Sequence, residues 1–518
     1  MLRRLGLTGM VMLMAIGIIF AQSCPINPAK NRIEFAHNLI DVHSKLYHLE
    51  HGTDSNFVVV HIGDSHIQLD HFTGAIRANM HKVFGDCGEG VLFPYSACKS
   101  FGPRNLESKA VGKWICNTVC NNTLCDELGV TGYTLRTTDP SATLSFKYLT
   151  PGMMLDTPIV EPKSIRTVTV WHGNGDFPLA VDCKDCGAMK LWTDPKPAAN
   201  GLRTTKITNY IAGQELKLKL KPGADSTGQF RFHGISFDVP QSPGIQYHHC
   251  GVVGAQFPYF VKNAKLAIAQ LVALKPDLIV FSYGSNESYM PNFDAVQYAA
   301  GIESVMKTLR QEIKGLNFVF TTTPDTRAGN KTPPHTKAIN QNLRKLAERA
   351  GAALWDLNAI MGGDNSVRYW VAHQLARTDK LHFTRAGYKL MGDLFALAFL
   401  ESYNRQWDEK DLPTDSIIKE IATVVTTHGL NAPYAAAADQ YLTPEQQRKI
   451  KGIPDPPVKK PLEPFKTKTV FHEVAKGETL YSIAKKYGET VEQIRKFNGM
   501  TEASVLKSGT RIVVKRVE

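Results

Sequence analysis

The sequence predicts an α/β protein: a parallel sheet with helices on both faces, interrupted by a β-rich insertion and followed by a small separate module. Three observations predict it. After Gly244, mostly apolar strand-like runs alternate with segments of helical period, as in a parallel sheet covered on both faces. From Leu106 to about Pro240 the chain changes to short β-prone runs between turn signals. Ile453 to Thr469 (IPDPPVKKPLEPFKTKT) is rich in Pro and Lys, a linker of about 50 Å at ~3.1 Å per residue if extended as polyproline.

The elements follow in order. Arg3 and Arg4 precede an apolar run from Leu5 to Phe20, followed by Ala21, Gln22, Ser23 and Cys24. That run is shorter than the roughly 20 residues needed to span a bilayer, so 1–23 reads as a cleaved export signal, with no transmembrane segment left after cleavage. Cys24 alternatively fits a lipid-anchored N-terminus, although Leu is missing three positions ahead of it. Phe35 to Leu49 has helical spacing, and Phe57 to Ile62 (FVVVHI) reads as a buried strand before a sharp turn at Gly63.

The insertion, 105–240, carries strand-like runs at Val168 to Trp171, Leu216 to Leu220 and Phe230 to Val239 and reads as a β-sandwich. Beyond it come a helix near Tyr259 to Leu274, a strand at Leu278 to Tyr283, a helix at Ala295 to Lys314 and a strand at Phe318 to Thr322. A helix at Thr336 to Ala350, a strand at Ala353 to Leu357 and a helix at Arg385 to Tyr403 complete the alternation. The α/β domain is thus 24–104 plus 241–405, followed by a helical extension (406–452), the linker (453–469) and the terminal module (470–516).

Composition narrows the class. With 518 residues, 43% hydrophobic and 21% charged, the chain is neither disordered, collagenous nor a multi-pass membrane protein. Its net charge of +12 suits an anionic surface or polymer, but no basic stripe interleaved with aromatics points to nucleic acid. An exported chain with nine Cys is expected to form disulfides; discounting Cys24 leaves an even number. A zinc site built from Cys116, Cys120, Cys183 and Cys186 is the rival reading, without a zinc-ribbon pattern around it.

Four short segments carry chemistry. Gly63, Asp64, Ser65, His66 follow the first strand, where a nucleophile is lifted above the sheet's C-terminal edge. Taken alone, Ser65 reads as a cap for the next helix, and only the other segments reverse that reading. Asp379, Lys380, Leu381, His382 place a carboxylate three residues before an imidazole. A serine hydroxyl needs a neutral His to accept its proton and an acid to fix that His's tautomer, so Ser65, His382 and Asp379 form a triad by role. Tyr283, Gly284, Ser285, Asn286 end the strongest strand and offer the Asn286 amide to a developing oxyanion, while Gly251, Val252, Val253, Gly254, Ala255 offer a backbone N–H. There is no G-x-S-x-G elbow, HExxH or phosphate-binding GxxxxGK[ST] segment, and this chemistry needs no metal or cofactor.

In this order the four segments resemble the SGNH (GDSL-like) hydrolases, over about 57–99 and 244–403. The resemblance implies a flavodoxin-like parallel sheet, Ser65 as nucleophile, and an oxyanion hole of Gly254, Asn286 and the Ser65 N–H. It also implies His382 as base with Asp379 orienting it. His66 stands where the family's better-known form has Leu, and Glu287 where Asp is common. Gly88 or Gly90 of GDCGEG is an alternative oxyanion glycine; Gly254 is preferred because it follows a strand-like run and precedes a helix, which leaves GDCGEG as a loop or turn.

His472 to Val514 (HEVAKGETLYSIAKKYGETVEQIRKFNG…LKSGTRIVV) has strand-like ends around helices at Thr479 to Tyr487 and Val491 to Phe497, with Leu480, Ile483, Ala484, Ile494 and Leu506 as core. It resembles a LysM module. The resemblance implies binding of N-acetylglucosamine-containing polymers, peptidoglycan or chitin, between Gly477, Glu478, Thr479 and Asn498, Gly499, Met500. In layout the insertion resembles the carbohydrate-binding-like insertion of peptidoglycan O-acetylesterases.

Together these imply an exported serine esterase, periplasmic or envelope-associated, that removes O-acetyl groups from peptidoglycan through an acetyl-enzyme while LysM tethers it to the wall. The alternatives are an esterase for another acetylated glycan, an acetyl transferase, and a non-catalytic wall-binding scaffold.

Overall fold

A computed structural model describes residues 26–54, 56–120, 128–150, 164–221, 228–262, 264–328, 331–407, 413–427, 468–500 and 506–517. The segment read as an export signal, Cys24, most of the linker and the distal part of the helical extension lie outside the described residues.

The principal strands are β1 (Asn56–Gly63), β2 (Asp86–Leu92), β3 (Phe230–Asp238), β4 (Gly244–Gly251), β5 (Leu278–Ser282), β6 (Asn317–Thr321) and β7 (Ala353–Trp355). They lie in the order β7-β6-β5-β1-β4-β2-β3, parallel from β7 to β2. Their apolar runs are buried almost throughout: Val60, Ile62, Ile279, Val280, Phe318 and Val319 are inaccessible to solvent. Helices cover both faces, and so the side chains of alternate residues enter two separate apolar clusters. The principal helices are α1 (Ser65–Gln68), α2 (His71–Phe84), α3 (Ala264–Leu274), α4 (Ala295–Glu312), α5 (Thr336–Arg349) and α6 (Arg385–Asn404). Asp294 caps α4 by accepting from the Val296 and Gln297 N–H groups, and Thr384 caps α6 by accepting from the Gly387 N–H.

GDCGEG is not a loop. It forms β2, parallel to β4 on one side and antiparallel to β3 on the other. Its alternating Gly and polar residues carry no apolar signature, but Gly90 lies where any Cβ would fall 2.5 Å from the His248 ring of β4. The strand exists because two neighbours require it, and it places Gly90 beside the middle of β4 rather than at the edge where Ser65 lies.

The insertion is built of two sheets, one of them continuous with the parallel sheet. Through β3 the large sheet extends to Ile165–Gly173, Leu202–Ile211 and Lys190–Thr193, reaching thirteen strands. A four-stranded sheet of Leu106–Val111, Thr143–Tyr148, Glu215–Leu220 and Leu179–Asp182 is the second. The apolar cluster under one face of the parallel sheet runs on without a break between them.

Two disulfides are formed, Cys98–Cys116 and Cys183–Cys186. Three of the four sulfurs of the zinc reading are thereby committed to disulfides, Cys116 to Cys98 and Cys183 to Cys186, and Cys120 alone is left as a thiol. Cys87, Cys120 and Cys250 are unpaired among the described residues, and Cys125 lies outside them, so complete pairing is not what the described residues display.

At the far end, strands Lys468–Glu473 and Arg511–Val517 pair antiparallel around helices Leu480–Tyr487 and Val491–Phe497. Val474, Leu480, Ile483, Ala484, Ile494, Ile512 and Val514 form their core. Each helix begins with a capping box, at Thr479 and Thr490.

Candidate active site

The C-terminal edge of the parallel sheet collects the four segments. β1 ends at Gly63, and Asp64 turns the chain into α1 by accepting from the His66 N–H at 3.0 Å, which leaves Ser65 as the first helical residue. Asp64 is wholly buried, and that burial raises its carboxyl above the usual range. The chain's return from residues 377 to 384 is pinned by Arg377 N–H to His382 O (2.8 Å) and Thr384 N–H to Leu375 O (2.8 Å).

That turn delivers His382 to Ser65. Its Nε2 lies 3.3 Å from Ser65 Oγ, across 317 residues of sequence, and its Nδ1 lies 3.0 Å from Asp379 Oδ2. The other carboxylate oxygen, Oδ1, accepts from the Leu381 and His382 N–H groups at 2.9 and 3.0 Å. Partial burial alone would raise the Asp379 carboxyl; the two N–H donors and the His382 ring outweigh it and hold the group below its usual value. An ionised Asp379 fixes the proton on Nδ1 and leaves Nε2 as acceptor toward Ser65.

Opposite lie the other two segments. Gly254 has φ +75°, and a Cβ there would have only Cys120 Sγ nearby, at 4.0 Å, so the backbone conformation rather than space calls for glycine. Asn286 Nδ2 donates to Ala255 O at 2.9 Å, which joins the two segments and leaves the second amide proton available. Glu287 is fully buried behind them and accepts from Phe257 N–H at 2.6 Å and Gly284 N–H at 3.1 Å. Burial pushes its carboxyl up to about 7 against the pull of those N–H groups. The longer Glu, in place of the expected Asp, reaches both backbone segments.

Three further residues support the edge, of which His66 and Glu287 stood out in the sequence only as departures from the family pattern and Gln68 did not stand out at all. His66 Nδ1 lies 2.8 Å from Tyr388 OH, and its ring centre lies 5.9 Å from that of His382. Gln68 and Glu287 link the edge loops from beneath. A polar residue one turn after the nucleophile is the only local signal for Gln68, since its partners come from distant segments.

In the terminal module, Glu478 accepts from His472 Nε2 and Ala475 N–H at 2.7 and 2.8 Å, and Thr479 Oγ1 caps the helix by accepting from Ser482 N–H. The Asn498 amide ties Ile494 O, Val513 O and Val513 N–H together, so its polar atoms are engaged within the fold. Gly477 and Gly499 have open space around them. Among the described residues no group of three or more His, Cys, Asp or Glu is arranged to hold a metal ion, and no helix is long and apolar enough to cross a membrane.

Comparison with known proteins gives the site a context. Residues 223–390 match the GDSL-like lipase/acylhydrolase family, and residues 472–515 match the LysM domain. The first match begins at residue 223, within the last part of the insertion, so it includes Gly254, Asn286, Asp379 and His382 but not Ser65. No curated protein matches the chain. Among solved structures, one described as "Peptidoglycan O-acetylesterase in action" is 20% identical, covers 70% of this chain and 96% of its own, and superposes with a TM-score of 0.56: the two share a fold. A lipase/acylhydrolase from Enterococcus faecalis (19% identical, 31% of this chain and 77% of its own) and the acetylxylan esterase Axe2 from Geobacillus stearothermophilus (17%, 31% and 73%) have TM-scores of 0.26 and 0.24. The chain carries a GDSL-like acylhydrolase domain, an esterase domain, and beyond it a LysM domain.

Proposed function

We propose that this chain is an exported serine esterase that removes O-acetyl groups from peptidoglycan. The observation that carries the reading is the alignment of Ser65 Oγ, His382 and Asp379, with both imidazole nitrogens engaged. Ser65 Oγ attacks the acetyl carbonyl as His382 Nε2 takes its proton, and Asp379 stabilises the imidazolium. The Ser65 and Gly254 N–H groups and Asn286 Nδ2 receive the negative oxygen. Collapse breaks the bond to the sugar oxygen, which leaves with the proton from His382. His382 then activates a water that attacks the acetyl-enzyme, and acetate departs.

The LysM domain supports an N-acetylglucosamine-containing substrate, bound near 477–479 and 498–500. Because Glu478, Thr479 and Asn498 are engaged within the module and Met500 packs partly against its core, Gly477 and Gly499, with open space around them, offer the sugar the closest approach. A glycan module on the same chain raises local substrate concentration to around millimolar without altering the chemistry. A carbohydrate-binding role for the insertion is supported by a cavity of about 400 Å³ bordered by half-exposed Trp192, Lys206, Ser236 and Asp238.

A serine-reactive fluorophosphonate tests the mechanism. It should modify Ser65 in the wild type and fail to do so in His382→Ala; modification of another serine, or none, would remove Ser65 as the nucleophile. Acetyl transferred to a muro-oligosaccharide acceptor in place of free acetate would make the enzyme a transferase.

A further inference from the structure

We propose that Gln68 is a positioning residue that sets the Gly254 N–H for catalysis and ties it to the insertion. The inference rests on Gly254 being an oxyanion donor, as read above, and extends that reading.

Gln68 ends α1, three residues after Ser65, and is inaccessible to solvent. Its Oε1 accepts from Val253 N–H at 2.6 Å and from Tyr133 OH at 3.1 Å. Its Nε2 donates to Ser100 Oγ at 2.8 Å and to Phe101 O at 2.5 Å. The orientation of the amide is fixed: the Val253 N–H can only donate and the Phe101 carbonyl can only accept. Both halves of the amide are therefore engaged, each with two partners.

Those partners come from three separate segments of the chain. Val253 immediately precedes Gly254. Tyr133 begins the insertion strand Tyr133–Thr137, and Ser100 and Phe101 follow Cys98, which is bonded to Cys116 of the insertion. The oxyanion loop is held at its other points as well. Val252 N–H donates to Gly63 O, Ala255 N–H donates to Val252 O, Asn286 donates to Ala255 O, and Phe257 N–H donates to Glu287. Cys120 of the insertion donates from Sγ to Val253 O at 3.4 Å. Gln68 supplies the bond on the residue next to Gly254, and it does so from the helix that carries the nucleophile. Ser65 and Gly254 are thus referenced to one another through a single side chain. An error in that spacing of about 1 Å is enough to cost up to ~10²-fold in rate.

The test uses the full chain and a small acetyl ester, with turnover expressed per active site titrated to completion with fluorophosphonate. Gln68→Met keeps the volume and removes every polar contact; Gln68→Glu keeps an acceptor for Val253 and Tyr133. Gln68→Met should lower kcat at least about tenfold with KM within about twofold, the pattern of a lost transition-state contact. Gln68→Glu should recover most of that loss. A residue that only supports folding would lower the titratable fraction and Tm and leave turnover per site unchanged. That result in Gln68→Met, or a Gln68→Glu as slow as Gln68→Met, overturns the positioning role alone. Wild-type turnover in Ser65→Ala overturns the active-site reading beneath it.

Discussion

Glu287 Oε1 accepts the Phe257 N–H at 2.6 Å and thereby fastens the start of the helix after the Gly254 loop to the residue next to Asn286. The contact is wholly buried, and burial raises the carboxyl to about 7. A group whose folded-state pKa lies above its unfolded value stabilises the fold below the unfolded value, near 4.5, and loses that contribution as pH rises through about 7. Wild type should therefore lose stability relative to Glu287→Gln as pH rises across that window, and the difference should level off above it. Thermal unfolding of both proteins across the pH range checks this; a constant difference would refute the assigned shift.

Asn286 is bonded to Ala255 O through one amide proton, and the proposed mechanism gives the other to the oxyanion. Asn286→Ala should lower kcat by about 10²–10³-fold, as for loss of one oxyanion donor, with the fold retained. Circular dichroism alongside ester kinetics measures both, and a loss under about tenfold would contradict the assigned role.

Gly254 tests backbone conformation separately from space. With only Cys120 Sγ near a prospective Cβ, Gly254→Ala meets no clash, but it must hold φ +75° at a cost of about 1–2 kcal/mol or move the N–H away. Turnover should fall while Tm changes little. Unchanged turnover would point to another donor.

Much of this site was legible because its parts are local. The nucleophile follows one apolar strand within two residues, and Asp379 and His382 lie three apart, so GDSH and DKLH were readable without knowing the fold. The four parallel strands other than β2 and β4 announced themselves as apolar runs, and β4 as a strand-like run before Gly254. β2 did not, since its first five residues (DCGEG) carry no apolar run and its pairing is imposed by β4 and β3. The merging of one insertion sheet with the parallel sheet also lay beyond sequence reading, because it depends on the distant pairing of Val91 with Ser236. Gln68 was hidden for the same reason: its partners are residues 100, 101, 133 and 253.

The LysM domain should matter for polymer and not for chemistry. A chain ending after residue 452 should hydrolyse a small acetyl ester as the full chain does, while its rate on insoluble wall at limiting substrate falls by about tenfold or more. Parallel assays on the two substrates check this, and equal activity on wall would deny the module a tethering role.

The most direct measurement is acetate release from purified O-acetylated peptidoglycan by the mature chain and by Ser65→Ala, with chemically de-O-acetylated wall as control. Release by the wild type alone, and only from acetylated wall, is the predicted result. Acetate released equally by Ser65→Ala, or no release from acetylated wall by a protein that cleaves a small acetyl ester through Ser65, would contradict the account.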